Sequence, residues 1–127
     1  MSVRPGRVYD PPRETDGIRV LVDRLWPRGM SKTKAALDEW CKQVAPTTEL
    51  RRWYGHDPGR FAEFARRYLT ELGQGEQSVA LAHLREISTN CTVTLLTASQ
   101  DPTLSEVAVL TDLLGSGGTG GVTSPRG

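Results

Sequence analysis

The sequence predicts a small α/β domain of two or three layers, with a short, mostly parallel sheet covered by about four to five helices. Three observations carry that expectation. Ile18-Arg19-Val20-Leu21-Val22 and Thr92-Val93-Thr94-Leu95-Leu96-Thr97 are short runs rich in β-branched residues, the first opened by the turn pair Asp16-Gly17. The long stretch between them repeats its apolar residues at helical spacing. An Asp-Pro pair, a cap followed by proline at the first helical position, occurs twice, at Asp57-Pro58 and Asp101-Pro102.

Taken in order, Arg7-Val8-Tyr9 is a strand candidate closed by Asp10-Pro11-Pro12. The strand from Ile18 delivers its carboxyl end at Val22-Asp23-Arg24. Trp26-Pro27-Arg28-Gly29 then has to be loop, because proline and glycine break regular structure there. A helix is expected over Thr33 to Cys41, with Leu37, Trp40 and Cys41 on one face, and Pro46 ends it. Thr48 can cap a short helix to Tyr54. From Asp57 to a stop at Gly73, Phe61, Phe64, Ala65, Tyr68 and Leu72 form one buried stripe. Ser78 opens a helix with Leu81, Leu84 and Ile87 inward, and after the last strand a final helix carries Leu104, Val107, Ala108 and Leu114. One domain over residues 1–114 follows, with a flexible Gly/Ser/Thr-rich tail over 115–127, which lacks the apolar surface to offset its ordering entropy.

Composition narrows the functional classes. The 127 residues carry 16 basic and 15 acidic side chains. No apolar run reaches the ~18–20 residues of a membrane helix, and the first ten residues lack the apolar stretch of a signal peptide. No membrane partner is expected. Two isolated cysteines, Cys41 and Cys91, make no disulfide framework, which points to a reducing cytoplasm. The near-zero net charge makes nucleic acid an improbable partner, since such binding draws on many phosphate contacts. Charge is nevertheless uneven: Met1 to Lys34 holds eight basic and four acidic residues, compatible with one small anion.

Ligands of open α/β sheets bind beyond the carboxyl ends of strands, and two such ends are readable. At Asp23-Arg24-Leu25-Trp26-Pro27-Arg28, the planar guanidinium forks of Arg24 and Arg28 suit carboxylate or phosphate, and the Trp26 indole offers a stacking face. An ion pair of Asp23 with either arginine, over a core Trp26, is the plainer use of the same residues. The other end brings Ser99 and Asp101 to a helix amino terminus, where Asp101 also serves simply as a cap. His56, in the turn before a helix, makes with Asp23 the candidate catalytic pair, because imidazole titrates near neutrality; hydrogen bonding within its turn is the alternative. Cys41, His56, His83 and Cys91 match no metal-site spacing, so no metal is assigned.

These runs also carry a resemblance. Arg7-Val8-Tyr9-Asp10, Asp16-Gly17 through Asp23-Arg24-Leu25-Trp26-Pro27-Arg28-Gly29, Ala45-Pro46, Glu49-Leu50-Arg51, Gly55-His56-Asp57-Pro58 and Thr94-Leu95-Leu96 to Asp101 together resemble the YeaO-like family of uncharacterised bacterial proteins. The similarity spans residues 7–114. It implies a small cytoplasmic α/β domain and names no reaction. The chain departs from the family pattern at Thr97, where a tyrosine is usual, and at Ser105-Glu106, where an Asn-His or Asn-Gln pair is usual.

The leading expectation is a small anionic, nucleotide-like ligand at the strand ends, with catalysis left open. Two alternatives stand beside it: a non-catalytic regulatory or cofactor module, for example with haem on His56, and a weak nucleic-acid binder. Arg4, Arg7, Arg24 and Arg28 gathered around one pocket would favour the small anion; a long basic stripe would favour nucleic acid. Cofactor identity and oligomeric state are not legible.

Overall fold

A computed structural model describes residues 2–117, and the side chains of residues 2–115. Four parallel strands run in the order β1-β4-β2-β3, where β1 is Val3–Arg7, β2 Ile18–Leu21, β3 Glu39–Trp40 and β4 Val93–Thr97. Five α-helices join them: α1 Lys32–Ala35, α2 Thr48–Tyr54, α3 Phe61–Leu72, α4 Gly75–Asn90 and α5 Glu106–Gly117. The expected α/β architecture with a parallel sheet is what the chain adopts. Among the described residues no helix is long and apolar enough to cross a membrane. Helix α5 runs on past Leu114, and most of the tail expected from Gly115 lies outside the described residues.

The central strand β4 is buried along its whole length, which suits a run of Val, Thr and Leu with neighbours on both edges. Its side chains alternate between two cores. Val93 and Leu95 join Val20, Val22 and the apolar faces of α2–α5 in the larger one. Leu96 joins Val8, Leu21 and Ala35 in a smaller one on the opposite face, with Trp26, Met30, Leu37 and Trp40 packed against it. The α3 stripe behaves as its spacing predicts: Phe64, Tyr68 and Leu72 are buried, and Phe61 and Ala65 pack beside them. Asp57 caps a single 3-10 turn, Pro58–Arg60, that leads into α3.

Some elements differ from the sequence expectation only at their starts: Thr47, not Thr48, caps α2, α4 begins at Gly75 ahead of Ser78, and Leu104 lies in a 3-10 turn before α5. Two differ more. The first strand is Val3–Arg7 and ends where Arg7-Val8-Tyr9 was expected to start; Pro5 and Gly6 are tolerated because β1 is an edge strand. The helix expected over Thr33 to Cys41 stops at Ala35. Ala36 turns into the left-handed region at φ 49°, and the buried Arg19 guanidinium takes the carbonyls of Ala35 and Ala36, so the chain is free to enter β3. Asp38 N–H to Arg19 O and Cys41 N–H to Leu21 O extend the β2–β3 pairing at both ends. Tertiary pairing thus overrides a helix-compatible pattern.

Candidate functional site

Beyond the carboxyl ends of β2 and β4 lies a cavity of about 240 Å³. It forms because β2 continues into Val22-Asp23 while β4 continues into Ala98-Ser99, and the two segments are tied together. The Asp23 carboxylate accepts hydrogen bonds from Thr97 Oγ1 and from the Ala98 N–H, both at 2.8 Å. This aims Asp23 across the strand ends into the cavity, beside Ser99. Ser105 and Glu106, at the start of α5, form the facing wall; Ser105 Oγ accepts from the Val107 N–H and caps the helix.

Glu106 shares this cavity with the Asp23 carboxylate. Burial first, and then the neighbouring Asp23 carboxylate, push the Glu106 carboxyl well above its usual range, and the nearby Arg51 guanidinium opposes them only in part. Ionisation of Glu106 is thus disfavoured at the cavity wall. Arg51, on α2, lines the same cavity, is exposed, and makes no side-chain hydrogen bond or ion pair among the described residues.

The third side comes from the turn after α2. Tyr54 is buried, stacked on Phe64 at 4.4 Å, and donates its hydroxyl to Leu104 O at 2.6 Å, which pins α2 to the turn before α5. Burial and then the charges of Asp101, Asp57 and Glu106 push its phenol upward, so it stays a donor. Gly55 and His56 are both left-handed, at φ 54° and 58°. For histidine that backbone costs about 1–2 kcal/mol relative to glycine's freedom. The result is an exposed imidazole on the cavity rim, 6.0 Å from the Tyr54 ring. Tyr54, His56, Ala98 and Ser99 also line an adjoining cavity of about 520 Å³ that reaches Gln100, Asp101 and Leu104, so the two make one cleft.

Of the residues singled out in the sequence, Asp23, His56 and Ser99 line the inner cavity and Asp101 the outer one. The Asp101 carboxylate caps the Pro102–Leu104 turn by accepting from the Thr103 N–H. Arg24, Trp26 and Arg28 line neither. Arg24 donates to Ala45 O at 3.1 Å; Trp26 donates its indole N–H to Met30 O and packs edge-on against Trp40 at 5.3 Å; Arg28 is exposed, its carbonyl accepting from the Tyr9 hydroxyl. His83 lies away from the cleft, hydrogen-bonded to Glu39 at 2.9 Å. Cys41 sits in the main core, where burial and the Glu39 charge push its thiol up to about 11. Among the described residues no three His, Cys, Asp or Glu side chains gather as a metal site. Sequence reasoning missed Arg51 and did not assign Glu106, although Thr97 and Ser105-Glu106, the departures from the family pattern, all belong to this cleft or brace it.

Comparison with known proteins agrees with the resemblance. A family model described as the inactive DUF488-N3 subclade matches residues 2–117. An uncharacterised protein of Mycobacterium tuberculosis is 49% identical over 112 residues, covering 88% of this chain and 92% of that protein, and one of Mycobacterium bovis gives the same figures. The uncharacterised Escherichia coli protein YeaO is 44% identical over 116 residues, covering 91% and 99%. No solved structure matches. The extent of the family match, over the strands and the cleft alike, places the chain in the family described as the inactive DUF488-N3 subclade.

Proposed function

We propose that the chain binds a small anionic ligand in the cleft beyond β2 and β4, as a binding module and not as a catalyst. One observation carries the reading: Arg51, a guanidinium with no protein partner among the described residues, lines the cavity together with His56 and Ser99. A fixed cation attracts an anion, and a carboxyl whose ionisation is disfavoured repels it less than an ordinary carboxylate would. In this reading Arg51 takes the part that the sequence suggested for Arg24 and Arg28. His56 lies where it can donate from the rim, and its backbone conformation is one that glycine would adopt at lower cost. The inner cavity is smaller than the ~300–1,000 Å³ typical of cofactor sites. It suits a carboxylate or phosphate group, with the ligand's body in the outer cavity. The description of the family as inactive supports binding over turnover.

Native mass spectrometry of the gently purified chain, compared with its denatured mass, tests the proposal. A retained increment that disappears in Arg51→Ala is the expected result. An increment kept at equal occupancy by Arg51→Ala overturns the assignment. So does no increment at all, combined with no rise in Tm across a panel of small carboxylates and phosphates.

A further inference from the structure

A second cavity, of about 260 Å³, opens on the opposite face of the sheet and is lined by four arginines, Arg4, Arg7, Arg13 and Arg19, against two acids, Asp10 and Asp16. The sheet register explains the gathering. Arg4, Thr94 and Arg19 lie side by side on β1, β4 and β2, and Gly6, Leu96 and Leu21 form the next row. Leu21 and Leu96 point into the smaller core, so this row marks the face that α2–α5 do not cover. At Gly6 a side chain would press on Leu96 Cδ2 and Thr94 Cγ2 at 3.1 and 3.2 Å; its absence leaves the cavity floor open.

The charges do not cancel. Asp16 accepts from Arg19 Nη1 at 2.6 Å and from the Arg13 N–H at 2.9 Å, and Arg19 gives Nη2 to Ala35 O and Nε to Ala36 O. That pair is closed. Arg4 gives one N–H to Thr15 O, and Arg7 gives Nε to Ser99 O at 3.1 Å while lying over the Tyr9 ring at 5.5 Å. Each guanidinium is held in place yet keeps unspent donors, so much of the cost of ordering it is already met by the fold. Arg13 has no side-chain partner among the described residues, and Asp10 is the remaining counter-charge.

We propose that this cavity is a second anion site, separate from the cleft, and that it takes a phosphate or diphosphate group. Three guanidinium forks around one pocket can surround a tetrahedral dianion, whereas a planar carboxylate engages fewer of them. The arginines converge on a cavity instead of forming a stripe, which favours a discrete small molecule over a polynucleotide.

Titration of the full chain with inorganic pyrophosphate, followed by the amide resonances in a two-dimensional nitrogen–proton NMR spectrum, reads each cavity separately. The expected result is saturable movement of the Gly6, Asp10, Arg13 and Thr94 amides. In Arg4→Ala/Arg13→Ala their apparent affinity falls at least about tenfold. Both arginines are exposed, so the variant is expected to fold, and unchanged dispersion of the other resonances checks this. Arg51→Ala is expected to leave these four amides unaffected, which separates this site from the cleft. No saturable movement at Gly6 and Thr94, or an affinity within twofold of the parent in the double variant, overturns the proposal.

Discussion

The two faces of the sheet are closed by different means. On one, α2–α5 bring a continuous apolar surface onto Val20, Val22, Val93 and Leu95, and the helices satisfy their own backbones. On the other, short turns and loops cover Leu21, Leu96 and Val8, and side chains supply hydrogen bonds that regular structure would have made. Arg19 serves Ala35 O and Ala36 O, Trp26 serves Met30 O, Trp40 serves Asp23 O, and Arg4 serves Thr15 O. A loop laid over a core carries carbonyls without ladder partners, and on this face arginine and tryptophan side chains reach them. The same residue types that suggest a ligand site in a sequence are therefore also what a loop-covered face requires.

Adjacent residues of β4 give the strongest test of that contrast. Leu95 and Leu96 are both fully buried, one on each face. Leu95→Ala is expected to cost about 4 kcal/mol in denaturant unfolding and Leu96→Ala about 2–3 kcal/mol, because loops relax into a void more readily than packed helices. Equal costs would remove the distinction. Next in size, Arg19→Met is expected to cost about 3 kcal/mol, since it strands two carbonyls and the Asp16 carboxylate; a loss below 1 kcal/mol would mean that water satisfies them.

The cleft joins the helical face to the strand ends and should show a pH signature. A carboxyl whose folded value is raised binds more protons in the native state than in the unfolded chain. Its contribution is fully present below the unfolded value, near pH 4.5, and is lost as pH rises towards the folded one. Glu106→Gln should therefore gain stability over the parent with rising pH, by at most about 1.4 kcal/mol per pH unit. A difference that stays flat from pH 5 to 8 would show that Glu106 is ionised throughout. The smallest expected effect is at the rim: His56→Gly relieves left-handed strain and raises stability by up to about 1 kcal/mol, while any retained ligand is lost or weakened. Lower stability in that variant would show that the imidazole holds the turn.

The fold was largely legible because its strongest signals are local: β2, β4 and α3 follow from alternation, spacing and the Asp57-Pro58 start. The misplaced β1 and the shortened α1 are not local matters. Pro5 and Gly6 are poor strand residues and pair only because β4 provides a ladder, and Leu37 to Cys41 reads as a helix face until Arg19 and Leu21 claim its backbone. In the cleft, Asp23, His56 and Ser99 were visible because strand ends and pre-helix turns are where such residues gather. Arg51 was not, since beside Arg52 on a short helix it looks like an ordinary solvated charge, and only the placement of α2 turns it to the cavity.

The parallel sheet also has two ends, and neither invites growth. β3 contributes only two residues, and β1 carries Pro5, which brings no N–H to a ladder. A further strand laid against β1 would meet that missing donor between the charged flanks Arg4 and Arg7, and one laid against β3 would find two residues to pair with. Exposed strand borders are ordinarily the places where folded chains seed fibrils or swap segments. Here the proline that hid the first strand from the sequence pattern also protects the assembled protein from its own neighbours.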